Sequence, residues 1–311
     1  MKAIFDNVSA QCSKIVTRSY STSFSLGISF LGPELRGPVY AIYGFVRLAD
    51  EIVDSFHEFD KASLLLKFKS DTKEAISESI SLNPILNAFQ AVVNQYKIDH
   101  ELIHIFFQSM EMDLKKETYT EEKYERYILG SAQVVGLMCL HVFTNGEQTA
   151  YERLKKPAMK LGSAFQKVNF LRDVSADFHL LSRSYFPGVD LSQFSDEQKK
   201  EIQADIELDF DAALEGIAQL PPSSQRGVYL AYLYYRKLFN KIKRKTAAQL
   251  IAQRIRISNL YKFRLMIHSL LPRRKTKKYQ STTRAESQIL AIAPEPERTT
   301  AMEIQKAQNS K

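Results

Sequence analysis

The feature that most restricts this chain is the spacing of its apolar residues. From the start to about residue 271 they recur at helical intervals. No stretch alternates apolar and polar residues as a half-buried strand does. Breakers are scarce, with 11 glycines and 10 prolines in 311 residues. The pattern predicts an all-α protein. Pro33 and Gly37-Pro38 mark the entry to a helix over about 38–57, and Asn83-Pro84 opens another. Asp99 is placed to cap a helix over 100–115, and Thr120, followed by Glu121 and Glu122, starts one reaching about 143. Further helices are expected over 149–181, from Ser195 onward, over 223–246 and over 258–271.

Length alone favours two domains, yet no linker interrupts the first 270 or so residues. The expectation is one helical domain over 1–271 and a flexible polar tail over 272–311, where the apolar repeat fades. Apolar residues make up 44% of the chain, enough for a sizeable core. The formal charge of +8 points to an anionic partner. Two cysteines far apart, Cys12 and Cys139, fit a reducing compartment rather than a disulfide scaffold. MKAIFDNVSAQC lacks the apolar run of a signal peptide, and no segment approaches about 18 uncharged apolar residues. A cytoplasmic protein without a spanning helix is therefore expected.

Two short stretches carry the chemistry. RLADEIVD places Asp50 four residues before Asp54, and RDVSAD repeats that spacing at Asp173 and Asp177. On a helix each pair shares a face, where two carboxylates repel by roughly 0.2–0.5 kcal/mol. A single such pair is usually a solvated face. Here the surroundings are oily, FVRLADEIVDSF and FQKVNFLRDVSADF, and each pair has an arginine beside it, Arg47 or Arg172. Magnesium is typically held by one or two carboxylates plus substrate phosphates. Two pairs on facing helices can hold a metal-bridged diphosphate, with the guanidinium groups as further phosphate donors. Gln166, Asn169, Asp173 and Asp177 follow at steps of three, four and four, and so form one helical stripe. Tyr43, Arg47, Asp50 and Asp54 form another.

Taken in order, the surrounding blocks resemble the squalene and phytoene synthases, which join two isoprenyl diphosphates. YSTSFSLGISFLGPELRGPVYAIYGFVRLADEIVD is similar to the family's first block, and YILGSAQVVGLM to its second. LGSAFQKVNFLRDVSADFHLLSRSYFP resembles the signature block, and RIRIS near 254 a terminal one. The likeness covers about residues 15–265. It departs at Glu51, where many members have Asp, and before Arg183, where no glycine stands.

The resemblance implies an isoprenoid-synthase helical bundle with a central cavity, and head-to-head prenyl transfer as the activity. It implies magnesium, or manganese in its place, held by Asp50, Asp54, Asn169, Asp173 and Asp177. Arg47, Arg172, Gln166, Ser21, Ser23, Arg183 and Tyr185 would contact phosphate or the metal shell. The allylic cation must meet a second substrate before water does, which needs a dry aromatic cavity. Tyr43, Phe24 and Tyr127 are the rings expected to line it. The bacterial phytoene synthases are the nearer likeness. Two geranylgeranyl diphosphates would then give phytoene, by proton loss and without a nicotinamide. Squalene, dehydrosqualene or hydroxysqualene synthesis from farnesyl diphosphate is the alternative.

Two other motifs compete. HELIH at 100–104 matches the zinc-protease pattern, but it falls in a first helical turn and no third ligand presents itself. RRKTKK at 273–278 lacks the aromatic interleaving of a nucleic-acid site, so no nucleic acid is expected. It suits peripheral contact with anionic lipid at the inner face of a membrane instead.

Overall fold

The computed structural model describes residues 1–115, 119–176, 185–252 and 255. In chain order these form α1 (Lys2–Tyr20), α2 (Thr22–Ser29), α3 (Pro33–Asp54), α4 (Lys61–Glu78), α5 (Pro84–Tyr96) and α6 (His100–Asp113). Then come α7 (Glu121–Ile128), a π-helical turn (Leu129–Gln133), α8 (Val134–Phe143) and α9 (Gln148–Ala176). After a 3₁₀ turn (Leu191–Gln193) the chain ends its described part with α10 (Asp196–Ala218), α11 (Pro222–Lys243) and α12 (Ala247–Ala252). No strand occurs among the described residues. The expected helix over 258–271 and the tail over 272–311 lie outside them.

The starts follow from local chemistry. The side chains of Asn83, Asp99, Thr120 and Ser195 accept hydrogen bonds from the first-turn amides of α5, α6, α7 and α10. Ser195 and Gln198 form a reciprocal capping box. Each such cap stabilises its helix by about 1 kcal/mol. The structure corrects the start of α3. Pro33 occupies its first turn and Pro38 lies inside it. Pro38 costs only one hydrogen bond near the helix end, so the helix runs through it rather than beginning there.

The apolar faces meet in two clusters. In the first, Phe45 of α3 is fully buried and stacks on Phe89 of α5 with centroids 3.8 Å apart. Phe106 and Phe107 of α6 close around it at 5.3 and 5.7 Å. In the second, Phe210 of α10, Phe239 of α11 and Val168 and Leu171 of α9 are fully buried. A large cavity runs between the clusters, walled by α2, α3, α9 and α11. Cys12 and Cys139 are both free thiols.

Taken through the π turn, Glu121–Phe143 has the length and mean hydropathy, 1.3, of a membrane-crossing segment. This corrects the expectation that no such segment exists. Half of that window is buried inside the fold, and Val134, Leu137 and Met138 sit in the core. It serves here as a core helix.

The π turn is held by two close approaches. A Cβ on Gly130 would lie 2.6 Å from Ser109 Cβ and 2.7 Å from the Ile105 carbonyl oxygen. A Cβ on Gly162 of α9 would lie 2.8 Å from the Ala132 carbonyl oxygen. Backbone cannot yield as a side-chain tip can. Gly162→Ala should therefore destabilise the protein by about 1–3 kcal/mol, although alanine is the better helix former by about 1 kcal/mol. Chemical denaturation checks this, and a stabilised variant would show that α9 is free to move off the π turn.

Candidate active site

The stripe on α3 and the stripe on α9 face one cavity of about 1530 Å³. Asp50 and Asp54, near the C-terminal end of α3, line it, as do Gln166, Asn169 and Asp173 near the end of α9. At the opposite end of the same wall stand Val39 of α3 and Leu154 of α9. At 1.5 Å per residue, Val39 to Asp54 spans about 22 Å and Leu154 to Asp173 about 28 Å. The cavity is thus long, acidic at one end and apolar at the other. Its deep wall is built from Ile42, Val46, Leu140, Phe143, Leu161 and Val228.

The acidic end holds one carboxylate that spacing alone did not reveal. Asp113, the last residue of α6, lines the cavity and faces Asp50 electrostatically. Burial, then the neighbouring charge of Asp54, push the Asp50 carboxyl up to about 7 against the pull of Arg47. Asp113 adds to that rise. Carboxylates gathered at the end of a cavity suit a hard divalent cation that keeps its waters and takes substrate oxygens. No set of three His, Cys, Asp or Glu groups with metal-binding geometry is closed among the described residues. Asp50, Asp54, Asp113 and Asp173 line the cavity instead. Asp177 and Arg183 lie outside the described residues.

Both arginines are held by carboxylates. Arg47 pairs with Glu51, one turn along α3, and lies 4.2 Å from the ring centroid of Tyr20. Glu51, the departure in the first motif, thereby aims the guanidinium beside Asp50. Arg172 forks onto Asp173, with Nε 3.0 Å from Oδ1 and a terminal nitrogen 2.6 Å from Oδ2. Lys61 brings another cation to the mouth. Its Nζ donates to the Val53 carbonyl at 2.7 Å and lies 2.9 Å from His57 Nδ1.

Ser21 caps α2, accepting from the Phe24 amide at 3.1 Å, and also hydrogen-bonds Tyr43. Ser23 lines the cavity from the first turn of α2. Where acidic mouth meets apolar wall, aromatic rings form a collar. Phe24 lies 5.6 Å from Tyr43 and 6.2 Å from Tyr235, and Tyr235 stacks on Phe165 at 3.9 Å. Tyr235 of α11 was not expected at the site. Its hydroxyl donates to Asn169 Oδ1 at 3.3 Å, and burial pushes its phenol up to about 12.

Tyr127, expected as a lining ring, does more than line. Its hydroxyl donates to Asp113 Oδ2 at 2.8 Å, and burial and then the Asp113 charge hold the phenol well above its usual range. Tyr185 stacks on Phe170 at 4.3 Å and lies 5.3 Å from Tyr127. HELIH stays on the surface. His100, Glu101 and His104 are exposed, and His104 Nε2 lies 2.9 Å from the Gln108 amide.

The profile of the squalene/phytoene synthase family matches residues 17–261. The chain is 27% identical over 247 residues to phytoene synthase 1, chloroplastic, of Solanum lycopersicum, covering 73% of this chain. It spans 60% of that relative's length. It is 27% identical over 256 residues to a phytoene synthase of Arthrospira platensis, covering 74% of this chain and 82% of the relative. Among solved structures, a dehydrosqualene synthase in complex with ligand superposes with a TM-score of 0.73 at 20% identity, covering 89% of this chain and 98% of that one. Squalene synthase HpnC from Alicyclobacillus acidocaldarius gives 0.68 at 22% identity, covering 78% and 95%. The fold is theirs, and the match over most of its length places this chain in the squalene/phytoene synthase family.

Proposed function

We propose that the protein is a prenyltransferase that joins two molecules of geranylgeranyl diphosphate head to head, giving phytoene through a cyclopropyl diphosphate. One observation carries this reading. A long cavity of about 1530 Å³ has carboxylates at one end and an apolar wall at the other. That exceeds the roughly 300–1,000 Å³ of a pocket for one small ligand, as two prenyl chains require. The plant and Arthrospira platensis relatives named phytoene synthase support the twenty-carbon substrate. The second reading, farnesyl diphosphate to squalene, dehydrosqualene or hydroxysqualene, draws on the structural neighbours named for those products.

When bound by Asp50, Asp54, Asn169 and Asp173, with Asp177 beyond them in sequence, magnesium or manganese supplies the positive charge that stabilises a departing diphosphate. The chain's own groups do the rest. Glu51 and Asp173 hold Arg47 and Arg172 beside the acidic end, and Lys61 holds a third cation at the mouth. The collar of Phe24, Tyr43, Phe165 and Tyr235 offers ring faces to an allylic cation. Tyr235, with its phenol near 12, stays neutral and does not attack that cation as a phenolate. The apolar wall below excludes water from the two chains. In the last step a proton leaves carbon for the Tyr127 oxygen while the Tyr127 proton passes to Asp113 Oδ2, 2.8 Å away. No nicotinamide takes part in this route.

Incubation with fifteen- and twenty-carbon prenyl diphosphates and magnesium, with and without NADPH, tests the reading by product chromatography. Phytoene from the twenty-carbon substrate without NADPH is expected. Product from farnesyl diphosphate alone would select the second reading, and no condensation from either would remove both.

A further inference from the structure

Helix α3 ends at Asp54, within the acidic mouth of the cavity. The last carbonyls of a helix have no partner inside it and carry a partial negative charge. That of Val53 is taken by Lys61, the first residue of α4, whose Nζ donates to it at 2.7 Å. The same Nζ lies 2.9 Å from Nδ1 of His57, in the short connection between the two helices. Both side chains line the cavity.

A lysine that caps a helix accounts for the first contact only. An ammonium has three protons and no acceptor. One goes to Val53 and one to His57. The third meets no carboxylate: among the described residues Lys61 makes no ion pair, although Asp50, Asp54, Asp113 and Asp173 line the same cavity. Asp60, its neighbour in the chain, is engaged by Ser63, through the amide at 3.1 Å and the hydroxyl at 2.7 Å. Arg47 and Arg172, by contrast, are held by Glu51 and Asp173. Among the described residues that line the cavity, Lys61 is thus the one lysine or arginine not committed to an acid. The contact also fixes the histidine. Because an ammonium can only donate, Nδ1 accepts, and the ring hydrogen sits on Nε2. An ammonium proton and an imidazole N–H therefore stand together at the mouth, both of them donors.

We propose that Lys61 and His57 form a diphosphate subsite that grips phosphate oxygens directly, beside the carboxylates that would reach the same group through a metal. Donors on two side chains suit an anion with several acceptor oxygens, and such charge-assisted bonds are the strong ones. The long apolar wall below the mouth means that this anion arrives on a hydrocarbon or has just left one. The source of the diphosphate rests on the proposed reaction. It is either the group still linked to a prenyl chain or the one released from it.

Titration calorimetry of the full chain with inorganic pyrophosphate and magnesium tests the subsite without turnover, and steady-state rates with geranylgeranyl and farnesyl diphosphate test it with turnover. Lys61→Gln should lose about tenfold in pyrophosphate affinity, in KM, or in both, the low end for a hydrogen bond to a charged group. His57→Ala should lose about threefold, while His57→Gln, whose amide still donates, should keep most of the binding. A loss confined to KM assigns the subsite to the prenyl-linked group, and one confined to pyrophosphate assigns it to the released group. Magnesium alone should raise the melting temperature of Lys61→Gln as it raises that of the wild type, because Asp50 and Asp54 are unaltered. Wild-type values in Lys61→Gln or His57→Ala would overturn the proposal. So would loss of the magnesium response in Lys61→Gln, which would make the lysine a fastener of α3 alone. A wild type that condenses neither prenyl diphosphate, yet binds pyrophosphate through Lys61, would sink the proposed reaction and leave the subsite standing.

Discussion

Asp50→Asn lowers turnover of prenyl diphosphates by at least 10²–10³-fold, the scale of losing one preorganised charge-stabilising group, and raises the melting temperature of the metal-free protein at pH 8. The second half follows from linkage. The folded protein holds the Asp50 carboxyl near 7, above its ordinary 3.8. Its favourable contribution to stability is complete below the unfolded value and is lost as pH rises through about 7. Above that, the buried negative charge beside Asp54 costs on the order of 2 kcal/mol after allowance for partial exposure. Asparagine removes that cost, so the gain should appear at pH 8 and vanish near pH 4. Magnesium should raise the melting point of the wild type and leave the variant unmoved. Asp173→Asn should cost as much turnover, with no such gain, because it breaks the fork to Arg172. Thermal scans against pH and magnesium, with steady-state rates, check both. Full activity in either variant would remove the assigned role.

Asp209→Ala destabilises the fold by about 3–5 kcal/mol, the range for removing one partner of a buried ion pair. Asp209 on α10 is fully buried and takes Lys160 and Lys167 of α9, each at 2.7 Å. Lys160 is 43% exposed and can turn to water, while Lys167 is 11% exposed and keeps only the half-exposed Asp205. This brace fixes the two helices along the stretch that carries Asn169. Replacing both members, Asp209→Leu with Lys167→Met, should recover most of the loss, since an apolar pair of similar volume leaves no charge stranded. Urea denaturation of the single and double variants separates these outcomes. Equal destabilisation by both would mean that shape, not charge, holds α9 to α10.

The helical class could be read from the sequence because period and punctuation agreed. Asn83, Asp99, Thr120 and Ser195 all cap where their chemistry places them. The π turn could not be read, since Leu129–Gln133 differs from a helix only in where its carbonyls find donors. At the site, the two stripes were visible because residues at steps of three and four on one helix share a face whatever the tertiary fold. Asp113 and Tyr235 were not. One acid ending the amphipathic α6, or one tyrosine in YLYYRK, becomes part of a site only when another helix is laid beside it. Arg47 and Arg172 were expected to reach phosphate, and the structure pairs them with Glu51 and Asp173.

The ring of Phe24, Tyr43, Phe165 and Tyr235 has a practical corollary. The chain contains no tryptophan, so tyrosine dominates its ultraviolet emission. A single indole introduced at Phe165, flat against Tyr235, would be a solitary fluorophore at the threshold between water and oil. Its colour would then record each hydrocarbon tail as it slides past.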